Sequence, residues 1–378
     1  MFKKMMISLM LVGLLASPFS AQAKFESEAQ YAVLMDYETG AVLYDKGSHE
    51  RMFPSSMTKL MTIYILMDRI KRGSYKLEDT LPVSENAWRV QGSKMFVELG
   101  NRISVHDLLR GIIIQSGNDA CVVVAEAISG SETAFAGEMN RVAAELGMKD
   151  THFMNSNGWP DPDHYTTPYD LAILARRIIS DFPEYYPIFS EREFTYHKIK
   201  QQNRNLLLSR GIGVDGLKTG HTEIAGYGIV LSAIQDGRRV VAVVNGLANE
   251  KERATAGERI IMHGFRDFEN KRLFTAGEKV EDADVFFGKK TTVPLVFASD
   301  VKLLLPRGDE GAEFKVSVSY QGPIQAPIKK DTHIADLTIE RAGMDNIVLP
   351  LVAGEDVEEL SFFERLIEKA VHLVKLRG

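Results

Sequence analysis

Pro54-Ser55-Ser56-Met57-Thr58-Lys59 opens a run in which Leu60, Ile63, Tyr64, Met67 and Ile70 recur at three- and four-residue steps. That spacing predicts an amphipathic helix over Ser56 to Lys71. A three-residue step on a helix sets Ser56 and Lys59 side by side, so an amine stands ready to take the serine proton. The head of a helix also supplies free backbone N–H groups and the positive end of the macrodipole, both favourable to an alkoxide-like nucleophile. The stretch thus predicts an element and, at its start, the geometry of acyl transfer. S-x-x-K alone is weak, since roughly one or two chance matches arise in a chain of this length. Ser299 and Lys302 also match, but their surroundings read as strand, where a three-residue step points the two side chains to opposite faces.

Outward from this helix the chain alternates strand-like and helical stretches. Tyr31 to Tyr37 and Ala41 to Tyr44 flank the loop Glu38-Thr39-Gly40 as a hairpin. Helical periodicity follows over Val105 to Ile114, Asp119 to Ile128, Glu132 to Leu146 and Pro168 to Ile179. Gly226 to Ile234 and Arg238 to Asn245, around Asp236-Gly237, form a second hairpin. Strands at both ends with helices between them predict a mixed α/β domain over 24–263 whose single sheet is built from both ends. Past Gly264 the helical period gives way to short alternation such as Lys315-Val316-Ser317-Val318, a smaller all-β domain over 264–354.

The ends carry their own signals. Lys3 and Lys4, the apolar run Met5 to Phe19 and Ala21-Gln22-Ala23 read as an export signal over 1–23, so the chain is expected to be exported; with the terminal helix below, the expected place is peripheral, on the periplasmic face of the cytoplasmic (inner) membrane. Within 355–378, Ser361 to Arg377 sets Phe362, Phe363, Leu366, Ile367, Ala370, Val371 and Val374 on one helical face and charges on the other. Too charged to span a bilayer, it is expected to lie in the plane of an anionic membrane surface, the plainer alternative being docking on its own protein. With a net charge of −6 over 378 residues and no basic run, nucleic acid is not an expected partner. The single Cys121 sits in an apolar stretch and reads as core, and the nine histidines form no ligand cluster, so neither metal nor cofactor is expected. Nothing in the spacing speaks to oligomeric state.

Two further motifs could complete a site. Ser116-Gly117-Asn118 interrupts two apolar helices and can present a hydroxyl and a carboxamide to a cleft, or can simply cap a helix. Ser84-Glu85-Asn86 has the same form without that framing. Lys218-Thr219-Gly220 leads into an edge strand, where a cation and a hydroxyl can hold a carboxylate and a glycine admits a substrate backbone. A solvated lysine before a glycine turn is the plainer reading.

Taken together and in this order, S-x-x-K, S-x-N and K-T-G are the signature of penicillin-binding proteins and class A β-lactamases. Across Pro54 to Thr62, Ser84 to Gly100, Leu108 to Ala120, Asn203 to Asn205 and Val214 to Thr222 the sequence resembles the low-molecular-weight serine D-alanyl-D-alanine carboxypeptidases. The resemblance implies an α/β (α+β) transpeptidase/β-lactamase-like fold, with a largely antiparallel sheet between helical layers, followed by the β-rich domain and terminal helix of membrane-attached members. It implies peptidoglycan stem peptides as substrates and β-lactam antibiotics as acylating ligands. Ser56 is then nucleophile and Lys59 general base, its pKa depressed by the nearby charge of Lys218. Ser116 relays a proton, Asn118 orients Lys59 and the substrate amide, and Lys218 and Thr219 grip the terminal carboxylate beside Gly220. The backbone N–H groups of Ser56 and His221 would form the oxyanion hole. His221 and Asp170 become candidates for tuning deacylation, and Arg204 and Arg253 for the carboxylate end of the cleft. A β-lactamase, a DD-endopeptidase or a catalytically silent wall-binding scaffold are the alternatives; Gly117, where lactamases carry Asp, points away from the first.

Overall fold

The computed structural model describes residues 3–7, 25–307, 315–340 and 346–367. The chain divides into two compact units, 23–267 and 268–378, the latter grouped with 1–22.

In the first unit, β1 (Tyr31–Asp36) and β2 (Val42–Lys46) are the first hairpin, and β3 (Val214–Thr222), β4 (Gly226–Gln235) and β5 (Arg238–Leu247) follow after the helices. They form one five-stranded sheet in the order β2-β1-β5-β4-β3, antiparallel throughout. Its centre pairs the two sequence ends, with Val243 opposite Val33, as the strand pattern predicts. Because successive strand side chains point to opposite faces, β5 sends Val241 and Val243 into one core and Val240, Ala242 and Val244 into another. The first core is filled by α1 (Lys59–Lys71), α2 (Val105–Ile113), α3 (Asn118–Ser129), α4 (Glu132–Leu146) and α5 (Pro168–Asp181), the second by α6 (Glu250–Arg266). Helices therefore cover both faces. Cys121 is buried in the first core.

Local chemistry sets the helix limits. Ser131 caps α4 by accepting from the Ala134 N–H, and Gly147 ends it in the left-handed region at φ +82°. Thr167 caps α5 and Pro168 occupies its first turn. The helix predicted from Ser56 starts later: Ser55–Thr58 is a 3₁₀ turn and the α-helix begins at Lys59.

The second unit is β-rich. A sheet runs Lys315–Tyr320, His333–Glu340, Ile347–Ala353, Thr292–Phe297 and Lys279–Phe286, antiparallel between neighbours, around Val293, Leu295, Leu337 and Leu351. Of the predicted export segment, Lys3–Ile7 is described, as a strand along Lys315–Tyr320; 8–23 lie outside the described residues. Residues 362–367 are helical, and the rest of the predicted terminal helix lies outside the described residues. No helix among the described residues is long and apolar enough to cross a membrane.

Candidate active site

A groove of about 560 Å³ in the first unit is lined by Ser56, Gly92, Ser93, Asn118, Asn157, Gly158, Trp159, Pro160, His221, Thr222, Glu223 and Ile224. Three stretches far apart in sequence thus meet, each carrying one of the motifs.

Ser56 sits on the 3₁₀ turn rather than on an α-helical turn, yet the step to Lys59 still brings the pair together: Lys59 Nζ donates to Ser56 Oγ at 2.8 Å. The same amine donates to the Asn157 carbonyl at 2.6 Å and is wholly buried. The turn is held tight by its neighbours. Ser55 adopts φ +49°, a region non-glycine residues rarely enter. Two glycines permit it: a Cβ at Gly158 would lie 1.8 Å from the Ser55 carbonyl oxygen, and one at Gly220 would crowd the Pro54 carbonyl at 3.0 Å. The Ser55 hydroxyl also meets that of Thr222, at 3.1 Å. The K-T-G strand is therefore packed directly on the turn that carries Ser56.

Ser116 occupies φ +65° between α2 and α3, is buried, and its hydroxyl has no hydrogen-bond partner among the described residues. A helix-capping role is ruled out, since Gly117 holds the cap position of α3 with no side-chain bond. Ser84, by contrast, is such a cap, accepting from Ala87. A buried hydroxyl without a partner costs about 1–3 kcal/mol, which marks Ser116 as a group kept for something other than stability. Asn118 donates through Nδ2 to the Gln91 carbonyl at 2.7 Å. The hold on Lys59 comes from Asn157, a residue that sequence reasoning did not single out.

Lys218 is buried, with its amine on the Thr219 carbonyl at 3.1 Å. Two buried amines in one site alter each other's proton affinity. Burial is the largest influence on Lys59 and brings it down to about 8, with Arg204 pushing the same way and Cys121, Asp119 and Glu132 opposing. Lys218 is driven well below its ordinary value, first by burial and then by the charges of Lys59 and Arg204. Desolvation is thus the leading cause of the low value of Lys59, ahead of the Lys218 charge to which the sequence pointed.

His221 lies at the groove with its ring stacked on Tyr227 at 3.9 Å. Arg253 is buried, donates to the Arg204 carbonyl at 3.4 Å and sits 5.6 Å from the Tyr227 ring centroid; its charge acts on Lys218. Asp170 is placed differently. Its carboxylate accepts from the Asp150 N–H at 2.9 Å and the Thr151 hydroxyl at 2.7 Å, fastening that turn to the start of α5, and burial raises its pKa. None of those contacts reaches Ser56, Lys59, Ser116 or Lys218. Asp119, read from sequence only as a helical position, is a buried carboxylate that accepts from the N–H groups of Met95, Phe96 and Val97. It thereby fixes the 95–97 segment beside Gly117. No periodic signal reveals such a role, because the acceptor and its donors are over twenty residues apart.

A buried lysine bonded to a serine hydroxyl, a second buried lysine on an adjoining strand and an open groove at the serine suit attack on an acyl carbon next to an anionic end group. Comparison with known proteins agrees. Residues 17–249 match the family model described as D-alanyl-D-alanine carboxypeptidase, and 268–359 match that of the penicillin-binding protein 5 C-terminal domain. The D-alanyl-D-alanine carboxypeptidase DacA of Haemophilus influenzae is 38% identical over 355 residues, covering 92% of this chain and 90% of that protein. DacC of Escherichia coli is 37% identical over 359 residues, covering 92% and 90%. The crystal structure of penicillin binding protein 5 from Haemophilus influenzae superposes with a TM-score of 0.80 at 38% identity, covering 88% of this chain and 98% of that one.

Proposed function

Since this chain belongs to the D-alanyl-D-alanine carboxypeptidase family, we propose that it releases the terminal D-alanine of peptidoglycan stem pentapeptides through an acyl-enzyme on Ser56. It is a serine hydrolase of the penicillin-binding class, and β-lactams enter the same route. The observation that carries the assignment of roles is the 2.8 Å bond from the buried Lys59 amine to Ser56 Oγ at the floor of the groove.

In this reading Lys59, in its neutral form, takes the Ser56 proton as Oγ attacks the carbonyl of the penultimate residue. An amine brought down to about 8 is free in roughly a tenth of molecules at pH 7, far more than an exposed lysine offers. The developing oxyanion is received by the N–H groups of Ser56 and His221. The Ser116 hydroxyl, unpartnered among the described residues, hands a proton to the leaving amine, and Asn118 binds the substrate amide. Lys218 and Thr219 hold the terminal carboxylate alongside Gly220, with Arg204 and Arg253 adding positive field. Arrival of that carboxylate sets a counter-charge beside Lys218, which favours its charged form against the burial that opposes it. Water then hydrolyses the acyl-enzyme. Asp170 supports the scaffold.

Incubation with a D-Ala-D-Ala-terminated pentapeptide tests this. Wild type should release D-alanine and become labelled by fluorescent penicillin, while Ser56→Ala should lose both by at least about a thousandfold and keep its melting temperature. Release by the variant at the wild-type rate would refute the nucleophile.

The sequence pattern of 1–23 supports export, and the exposed Phe362, Phe363, Leu366 and Ile367 support attachment of the 361–377 segment to an anionic membrane surface. Ending the chain after Leu360 should abolish sedimentation with anionic vesicles and leave D-alanine release intact; undiminished sedimentation would exclude the helix as anchor.

A further inference from the structure

His152 to Tyr165 forms a closed loop: its ends pair through the backbone, His152 N–H to the Tyr165 carbonyl at 2.8 Å and the reverse bond at 3.0 Å. One side of this loop is the ceiling of the Lys59 amine. The Asn157 carbonyl accepts from Lys59, and the neighbouring Ser156 carbonyl accepts from Thr62 on the same helix at 2.6 Å. Ser156 is in turn tied to Glu132 of α4 through its hydroxyl, at 2.5 Å. Gly158 lies against Ser55 too closely to admit a side chain. Between these points the loop carries a buried imidazole: His164, 2% exposed, packed edge-on to Phe153.

We infer that His164 is a positioning residue that clasps this loop over Lys59, keeping water from the general base and so keeping it a base. Its Nδ1 accepts from the Met154 N–H at 3.2 Å, so the proton of the neutral ring is on Nε2, which donates to Thr58 Oγ1 at 2.8 Å. One ring therefore joins the loop's own backbone to Thr58, one of the two residues between Ser56 and Lys59. Only the neutral ring can do this, because a protonated Nδ1 would meet the Met154 N–H donor to donor. Burial keeps the ring neutral, lowering its pKa to about 4, with Asp161 pulling upward and His152 and Lys59 pushing down.

The consequence for chemistry follows from what holds Lys59 near 8. Of the groups that face it, Arg204 and Lys218 are cations, Asp119 and Glu132 are carboxylates that raise it, and Cys121 raises it too. Desolvation outweighs each of these, and the loop, whose Asn157 carbonyl lies on the amine, is one of the surfaces that supply it. Unclasped, the loop admits water, the ammonium form gains solvation, and the amine returns toward the ordinary lysine value.

The inference rests on Lys59 being the base, and the experiment separates the two. Acylation by fluorescent penicillin is followed from pH 5 to 10 for wild type, His164→Ala, His164→Gln and Thr58→Val, with melting temperatures alongside. In wild type the acylation rate should rise with pH through about 8, tracking the neutral amine. His164→Ala and Thr58→Val, which break the same bond from opposite sides, should each move that rise upward by about one pH unit and slow acylation at pH 7 about tenfold. His164→Gln, whose amide N–H reaches roughly where Nε2 stood, should restore the wild-type profile. A lower rate with an unmoved pH profile in both variants would reduce His164 to a structural role and overturn the clasp. If instead Lys59→Met acylates normally, the base assignment itself falls and the clasp with it.

Discussion

The two units bury different kinds of residue. Among the described residues, every buried polar or charged side chain lies in the first, including Lys59, Lys218, Asp119, Asp170 and Arg253. The buried residues of the second are apolar, a set of alanines, valines, leucines, isoleucines and phenylalanines from Ala283 to Val357. Sequestering a charge from water costs several kcal/mol unless partners compensate it, and the hydrogen bonds of Lys59 and Lys218 go to neutral oxygens, the Ser56 hydroxyl and the carbonyls of Asn157 and Thr219. A unit that retains such groups is built around chemistry; one that excludes them is built for packing. The contrast teaches where activity and stability can be separated by mutation.

The sharpest attempt to break it is Lys59→Met. Loss of a general base of this kind is expected to slow acylation about 10²- to 10⁴-fold, yet the variant should be no less stable than wild type at pH 7. The sign follows from linkage. The folded amine titrates near 8 and the unfolded one near 10.5, so below 8 both states are charged and the folded state bears the full penalty of a buried cation. Between those values the unfolded state binds more protons, and stability rises with pH. Urea unfolding across pH 7 to 11 should show that rise in wild type and its reduction in Lys59→Met. A large destabilisation at pH 7 would mean that the amine's bonds outweigh its burial, contrary to the contrast drawn above.

The second unit should behave in the opposite way. Leu337→Ala removes a side chain only 1% exposed at the centre of its core, for an expected loss of about 2–5 kcal/mol, with the rate of D-alanine release from a soluble pentapeptide unchanged at 20 °C. A parallel fall in that rate would show the β-rich unit to be part of the catalytic machinery. The smallest effect sharpens the same point inside the first unit: Ser131→Ala deletes the α4 cap and should cost about 1 kcal/mol while acylation by penicillin keeps its rate, because the bonds of Glu132 and Asn140 that fasten α4 to the 152–165 loop do not involve Ser131.

Reading the sequence against the fold shows why some parts were legible. Glu132–Leu146 is the helix that its periodicity describes, residue for residue, because Ser131 and Gly147 mark its ends with local chemistry. The hairpin of β4 and β5 is announced by Asp236-Gly237, both in the left-handed region. The turn at Ser55–Thr58 was not legible. Its shape is imposed by Gly158 and Gly220, more than a hundred residues away, and a 3.6-residue period looks the same whether the first turn is α or 3₁₀. The loop 152–165 was silent for a related reason: it has no period at all, and the Asn157 carbonyl that holds Lys59 is a backbone group that any residue could have supplied. His164 stood among nine histidines with nothing local to distinguish it.

The order of three short motifs, the alternation of the strands and the spacing of helical apolar residues were sufficient to specify the architecture and the residues able to react, because those properties depend on neighbours within a few positions. Whether Lys59 is a base depends on how completely water is kept from it. That was decided by the tertiary structure, since desolvation is produced by the surfaces that close around a group, and here those surfaces come from Asn157, Cys121 and the strand of Lys218.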